Sequence, residues 1–259
     1  AGLRAGCVRT ANRFSVLLGV VAVFSAYTAS ADTLRFESGP GRVELIELYT
    51  SEGCSSCPPA DRWFSGLKEH PGLWSEFAPI VFHVDYWDYI GWQDRFARPE
   101  FSERQRIYAR EGAASAVYTP GVFRNGDDWR GWHRKPLHPD RADETGVLSV
   151  EVDGGAVHVR FAAAEAGSRP AVVHVVLLGM DLSTEVRAGE NAGKTLRHDF
   201  VALDVRSSVL EDRDGAFDST LIFDESAFRG AGQAALVAWV SGDGTQAPLQ
   251  AVGGYLVRK

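Results

Sequence analysis

The chain of 259 residues, 45% hydrophobic and 24% charged, has an ordinary globular composition, with room for one large domain or two of typical size. Its formal charge is −7, with 27 basic against 34 acidic residues. That balance argues against nucleic acid as a partner, because phosphate backbones demand clusters of Lys and Arg that are missing here.

Residues 1–31 read as a secretory signal peptide: Arg4, Arg9 and Arg13 precede an apolar run from Phe14 to Tyr27, closed by Ala29-Ser30-Ala31. The run is shorter than the roughly 18–20 residues that span a bilayer, so no stable membrane insertion is expected after cleavage. Cleavage would remove three arginines and no acid, taking the formal charge from −7 to −10. It would also remove Cys7, leaving Cys54 and Cys57 as the cysteine pair of a periplasmic or secreted protein, in a compartment where disulfides persist.

VELIELYT, ending at Thr50, is a strand; SEGCSSCPP breaks it, and ADRWFSGLKEH is helical. PIVFHVDYWD from Pro79 is a second, buried strand. From Arg98 to Ala114 the residues Phe101, Ile107 and Tyr108 fall on a helical period, which predicts a surface helix. Val117 to Phe123 is a strand, and Asn125-Gly126 is a hairpin turn because both residues tolerate positive φ. The charged, proline-broken stretch 134–146 is a linker. Alternating runs such as VLSVEVDGGAVHVRFA, AVVHVVLLGMDL and AALVAWVS then predict a β-rich, sandwich-like C-terminal domain over 147–259. Residues 40–133, ordered strand, Cys-x-x-Cys loop, helix, predict an α/β thioredoxin-like N-terminal domain.

A cysteine just before a helix meets unpaired N–H groups and the positive end of the helix dipole, which favour thiolate over thiol. Cys54 is the expected attacking thiolate, the more exposed of the two, and Cys57, in the first helical turn, the resolving one. Pro58 and Pro59 are tolerated there because early helical positions have no internal N–H partner to lose. An inert disulfide or a dithiol metal site are the competing readings, with His133 and His138 as distant further ligands for the latter. Thr119-Pro120 opens a strand where such a fold places a cis-proline loop beside the dithiol, to hold a substrate backbone.

Tyr86, Trp87 and Trp92, interleaved with Asp85, Asp88 and Asp94, could wall a groove beside Cys54, or serve as ordinary packing. His83 and Asp85 share a strand face by period-two spacing, so His83 is either a proton acceptor near the dithiol or a hydrogen-bonded structural histidine. Residues 188–195, AGENAGKT, imitate a phosphate loop. They are read instead as a Gly-rich turn between strands, because the motif needs a buried strand before it and a helix after it.

Five motifs in order, ELYTSEGCSSCPPADRW, HVDYWDYIGWQDRFA, the RQxxYA of Arg104 to Ala109, VYTPGV and RAGENAGKTLRHDFVA, make the chain from about Arg42 onward resemble a family of secreted bacterial proteins sharing the domain of unknown function 1223. The resemblance implies a thioredoxin-like fold and export. The functional expectation is thiol-disulfide exchange with protein thiols or disulfides, without a cofactor. A binding module whose disulfide locks or senses its state, acting on an unknown exported partner, is the alternative, together with copper or zinc binding by the dithiol.

Overall fold

Fifteen strands and two α-helices make up the described residues of the computed structural model, which are 1–2, 33–134, 137–138, 143–164, 170–224 and 233–256. The chain divides into Ala1–Ser30 and Ala31–Lys259, and the fold below is that of the second unit. The expected signal peptide lies almost wholly outside the described residues. No helix among those described is long and apolar enough to cross a membrane.

In chain order the elements are β1 (Leu34–Glu37), β2 (Glu44–Thr50), α1 (Pro58–Gly66), β3 (Phe77–His83), α2 (Pro99–Arg110), β4 (Gly121–Arg124) and β5 (Asp127–Asp128). They continue as β6 (Gly146–Asp153), β7 (Ala156–Ala163), β8 (Pro170–Gly179), β9 (Leu182–Glu185), β10 (Thr195–His198) and β11 (Val201–Val209). The last four are β12 (Glu211–Arg213), β13 (Ala216–Ile222), β14 (Ala234–Gly242) and β15 (Pro248–Tyr255).

One eight-stranded sheet, in the order β15-β14-β8-β11-β3-β2-β4-β5, carries most of the core. β3 runs parallel to β2 on one side and to β11 on the other, where Val201 faces Val81; the sheet's remaining pairs are antiparallel. A five-stranded antiparallel sheet, β1-β6-β7-β13-β12, packs against part of it. The hairpin β9-β10 stands apart.

This arrangement corrects the expected fold class. An α/β thioredoxin-like domain needs its own sheet layered by helices, whereas β2, β3 and β4 continue without a break into strands of the C-terminal half. The protein is predominantly β, with large multi-stranded sheets. The second half is rich in strands, but they do not form a sandwich-like domain of their own: β8, β11, β14 and β15 complete the sheet begun by β2 and β3.

Period-two alternation explains how one strand serves two cores. On β14, Ala235, Val237 and Trp239 enter the core shared with Phe64 of α1 and Phe101 and Tyr108 of α2. Leu236, Ala238 and Val240 enter the core shared with Val150, Val159 and Phe161 of the five-stranded sheet. β8 divides likewise, Val176 and Leu178 against Val175 and Leu177. Every residue of β2 and β3 is buried; β3 reads accordingly as a nearly continuous apolar run, whereas β2 buries Glu44, Glu47 and Thr50 among its apolar residues.

Candidate functional site

β2 ends at Thr50 and hands the chain to a tight loop. Cys54 N–H donates to Ser51 O at 3.1 Å, Cys57 N–H donates to Cys54 O at 3.3 Å, and Gly53 N–H donates to Ser51 Oγ at 3.0 Å. Cys54 and Cys57 form a disulfide with Cα atoms 5.5 Å apart. Cys57 is the N-cap of α1, with the prolines in the first turn. Its carbonyl accepts from Ala60 N–H at 2.8 Å and from Asp61 N–H at 3.2 Å. Ser55 and Ser56 at the tip are exposed, but both half-cystines are fully buried, so Cys54 in this oxidised state lacks the exposure expected of an attacking group.

The segment hydrogen-bonded to the backbone of the cysteine loop is the phosphate-loop lookalike. It joins β9 to β10, both strands, as the turn reading required. The buried Asn191 donates from Nδ2 to Glu52 O and to Cys54 O, each at 2.9 Å, and Lys194 Nζ donates to Asn191 Oδ1 at 2.8 Å. Glu190 Oε2 accepts from Ser55 N–H at 2.9 Å. Gly189, with φ +74, lets the loop turn against Ile90 and Trp92.

The aromatic side chains are tied down by their polar tips. Trp87 Nε1 donates to Thr119 Oγ1 at 2.7 Å, Trp92 Nε1 donates to Glu52 Oε2 at 2.8 Å, and Tyr86 OH donates to Gln105 Oε1 at 3.0 Å. A Cβ on Gly53 would sit 3.4 Å from Trp87 Cβ, so Trp87 spans from the cysteine loop to Thr119. The Thr119–Pro120 bond is cis. Trp87 and Trp92 are thus held against the cysteine loop, and Thr119, which precedes the cis proline, is joined to it through the Trp87 indole. Tyr86 turns toward α2.

Sequence reasoning missed a buried polar cluster behind the disulfide. His83, at the end of β3, bonds through Nδ1 to Asp94 Oδ2 at 2.6 Å; the same oxygen accepts Glu52 N–H at 2.9 Å, and Asp94 Oδ1 accepts Phe96 N–H at 3.0 Å. His198 Nε2 lies 3.3 Å from Glu52 Oε1, and the two imidazoles meet edge to face at 4.9 Å. Asp61 of α1 completes the group. The expected partner Asp85 takes no part, because it bonds to Ser102 Oγ instead.

Burial opposes charge on Asp94, but the His83 imidazole and two backbone N–H groups hold its carboxyl below the usual range. Burial likewise opposes protonation of His83, and the Asp94 carboxylate overcomes it, raising the imidazole. Asp94's contribution is therefore complete above its unfolded value near 4 and is lost as pH falls through its lower folded value. His83's is complete below its unfolded value near 6.5 and is lost as pH rises through its raised folded value. The pair stabilises most between those two values. Asp94→Asn is expected to cost about 3–5 kcal/mol near pH 6 and to shrink the loss of stability between about pH 6 and about pH 9. Urea unfolding of both proteins across that range checks this, and an unchanged pH slope would count against the pair.

A groove of about 550 Å³ runs between α1 and the β9-β10 hairpin, lined by Pro58, Asp61, Arg62 and Ser65 on one side and Leu196 and Arg197 on the other. Asp61 is therefore shared between the groove and the buried cluster. Among the described residues no set of three or more His, Cys, Asp or Glu side chains converges as a metal would require. His133 lies against Trp132 and accepts from Arg134 Nε, away from the cysteine loop's contacts.

The fold resembles that of a protein from Agrobacterium tumefaciens, AGR_C_4864, known from a crystal structure: 26% identity, TM-score 0.63, covering 84% of this chain and 96% of that one. HBP35 of Porphyromonas gingivalis is similar in fold alone, at 13% identity and TM-score 0.56 over 84% of this chain and 76% of that one. No curated protein matches the sequence. Residues 45–241, which hold the cysteine loop, the buried cluster and the loop that covers them, match the profile of the proteins of unknown function DUF1223, and the chain belongs to that family.

Proposed function

We propose that the protein carries out thiol-disulfide exchange through Cys54 and Cys57, with partner protein dithiols or disulfides as its substrates. The observation that carries this reading is the seat of the disulfide: it joins the strand-to-helix corner to the first turn of α1, with acids and imidazoles gathered behind it. Helix N–H groups favour a thiolate at such a position, and a bridge closing so short a loop restrains little unfolded-chain entropy, so it is a poor structural staple. Export by residues 1–31 fits the same reading, because a disulfide persists outside the reducing cytosol.

A second reading has its own support. Asn191 and Glu190 hold a loop across the cysteines, so the disulfide could lock that loop in a binding module and release it on reduction. Dithiothreitol-driven reduction of insulin, with wild type and Cys54→Ser compared, tests the first reading. Acceleration by the wild type alone is the expected result. Equal turbidity traces from both proteins would end the exchange reading and leave the lock.

A further inference from the structure

We infer that Asp61 is the proton donor to the Cys57 sulfur when the disulfide opens, and that the His83–Asp94 and His198–Glu52 pairs behind it resupply the proton. The inference rests on the exchange reading above and adds the acid that reading lacks.

Three features of the geometry single out Asp61. Its N–H bonds to Cys57 O, one helical turn back, which places the two side chains on one face of α1. It is buried, 6% exposed, and among the described residues its Oδ1 makes no hydrogen bond of ordinary geometry, the nearby Thr50 hydroxyl being equally unpaired while, against the effect of burial, its pull lowers the Asp61 carboxyl. It also lines the groove beside α1, which gives the buried group a boundary with solvent.

The groups that face it come from every element packed there. His83 is on β3, His198 on β10, Thr50 at the end of β2 and Asp94 in the loop after β3, while Arg62, Lys68, Asp181, Arg197 and Asp199 line the groove with Asp61. His83 Nε2 and both ring nitrogens of His198 are likewise buried without hydrogen-bond partners among the described residues, His198 Nε2 lying 3.3 Å from Glu52 Oε1. Burial pushes the Asp61 carboxyl up from its ordinary value, against the pull of both imidazoles, which favours the protonated form that a donor needs.

The step balances. A thiolate of the partner dithiol attacks Cys54 Sγ, the Cys54–Cys57 bond breaks, and its electron pair leaves on Cys57 Sγ. That sulfur is buried, where an unrelieved anion is costly, so it takes the Asp61 proton. The second partner thiolate then attacks the partner sulfur of the mixed disulfide, releasing Cys54 as a thiolate at the start of α1. The partner has lost two electrons and become a disulfide; Cys54 and Cys57 have gained them. Asp61 regains its proton from the imidazole pairs or from the groove.

Reduction of Cys54–Cys57 by dithiothreitol, followed across the pH range in wild type, Asp61→Asn and Asp61→Glu, tests the assignment. Asp61→Asn is expected to slow reduction by roughly tenfold or more and to flatten the pH profile, with Asp61→Glu recovering part of both. A rate and profile unchanged in Asp61→Asn would overturn it. A wild-type disulfide that dithiothreitol leaves intact in the folded protein would overturn the exchange reading itself. Should Asp61→Asn fail to fold, the wild type in heavy water decides: slowing beyond the viscosity effect supports proton transfer in the opening step, and its absence refutes it.

Discussion

Glu47→Leu is expected to lower the unfolding free energy by about 3–5 kcal/mol, because it leaves a guanidinium buried without its counter-charge. Glu47 lies in the middle of β2, fully buried. It accepts Arg104 Nε at 2.7 Å and Tyr108 OH at 2.6 Å, and Arg104 itself donates to Tyr108 OH at 2.9 Å. Arg104 also stacks its guanidinium 4.8 Å from the Trp239 ring and bonds to the Gln246 side chain. Four elements thus meet at one ion pair: β2, α2, β14 and the turn before β15. Burial weakens the charge on Arg104 and the Glu47 carboxylate offsets that; with the carboxylate gone, a guanidinium is still too basic to escape the penalty by neutralising. The effect reflects the stranded charge more than any strength of the pair, so Glu47→Leu combined with Arg104→Met should cost much less than the two single losses added together. Equilibrium unfolding in urea of the three variants measures this. Single losses below about 1 kcal/mol would show that solvent reaches the guanidinium more freely than its burial implies.

That ion pair also marks the limit of what the sequence discloses. β2, α1, α2, the Asn125-Gly126 hairpin and the Gly154-Gly155 turn are all legible, because each rests on spacing or turn chemistry within a dozen residues. The order strand, cysteine loop, helix, strand is equally legible, yet it suggested a self-contained α/β domain. What completes the sheet is β11, more than a hundred residues later, and its parallel pairing with β3 is registered at Val201 and Val81 without any local signal. Trp239 reads as a buried strand residue, but nothing near it says that its face covers Arg104 rather than the second sheet.

The site follows the same rule. Cys54, Cys57, Thr119, Pro120, Trp87 and Trp92 were nameable because each sits in a recognisable local pattern. His83 was nameable too, but its partner was not: period-two logic picks Asp85, and the strand ends at His83, so the alternation stops before it reaches Asp85. Asp94 arrives instead from a turn in the loop. Flanking strands identify residues 188–195 as a turn, and only the tertiary fold shows that the turn lies across the cysteine loop.

Asn191→Ala is expected to speed reduction of the disulfide by dithiothreitol by roughly 30- to 100-fold, the opposite sign from Asp61→Asn. Disulfide exchange requires an incoming sulfur to approach Cys54, and Cys54 has no exposed surface while the loop between β9 and β10 is closed. Exchange then proceeds through the small fraction of molecules with the loop open. Asn191 closes that loop through two buried hydrogen bonds, to Glu52 O and Cys54 O, and losing it takes that donor from Glu52 O and leaves Cys54 O with the longer bond from Cys57 N–H at 3.3 Å in the closed form. A cost of about 2–3 kcal/mol to the closed form raises the open fraction, and the rate with it, about tenfold per 1.4 kcal/mol. Glu190→Ala is the internal comparison. Its bond to Ser55 N–H is solvent-exposed, so it should change the rate by no more than about threefold. If Asn191→Ala reacts at the wild-type rate while losing stability, the attacking sulfur reaches Cys54 without the loop moving, and entry is from the side of Trp87 and Thr119. If both rate and stability shift together, the β9-β10 loop is the gate, and the same two hydrogen bonds that keep the disulfide buried set how often it can react.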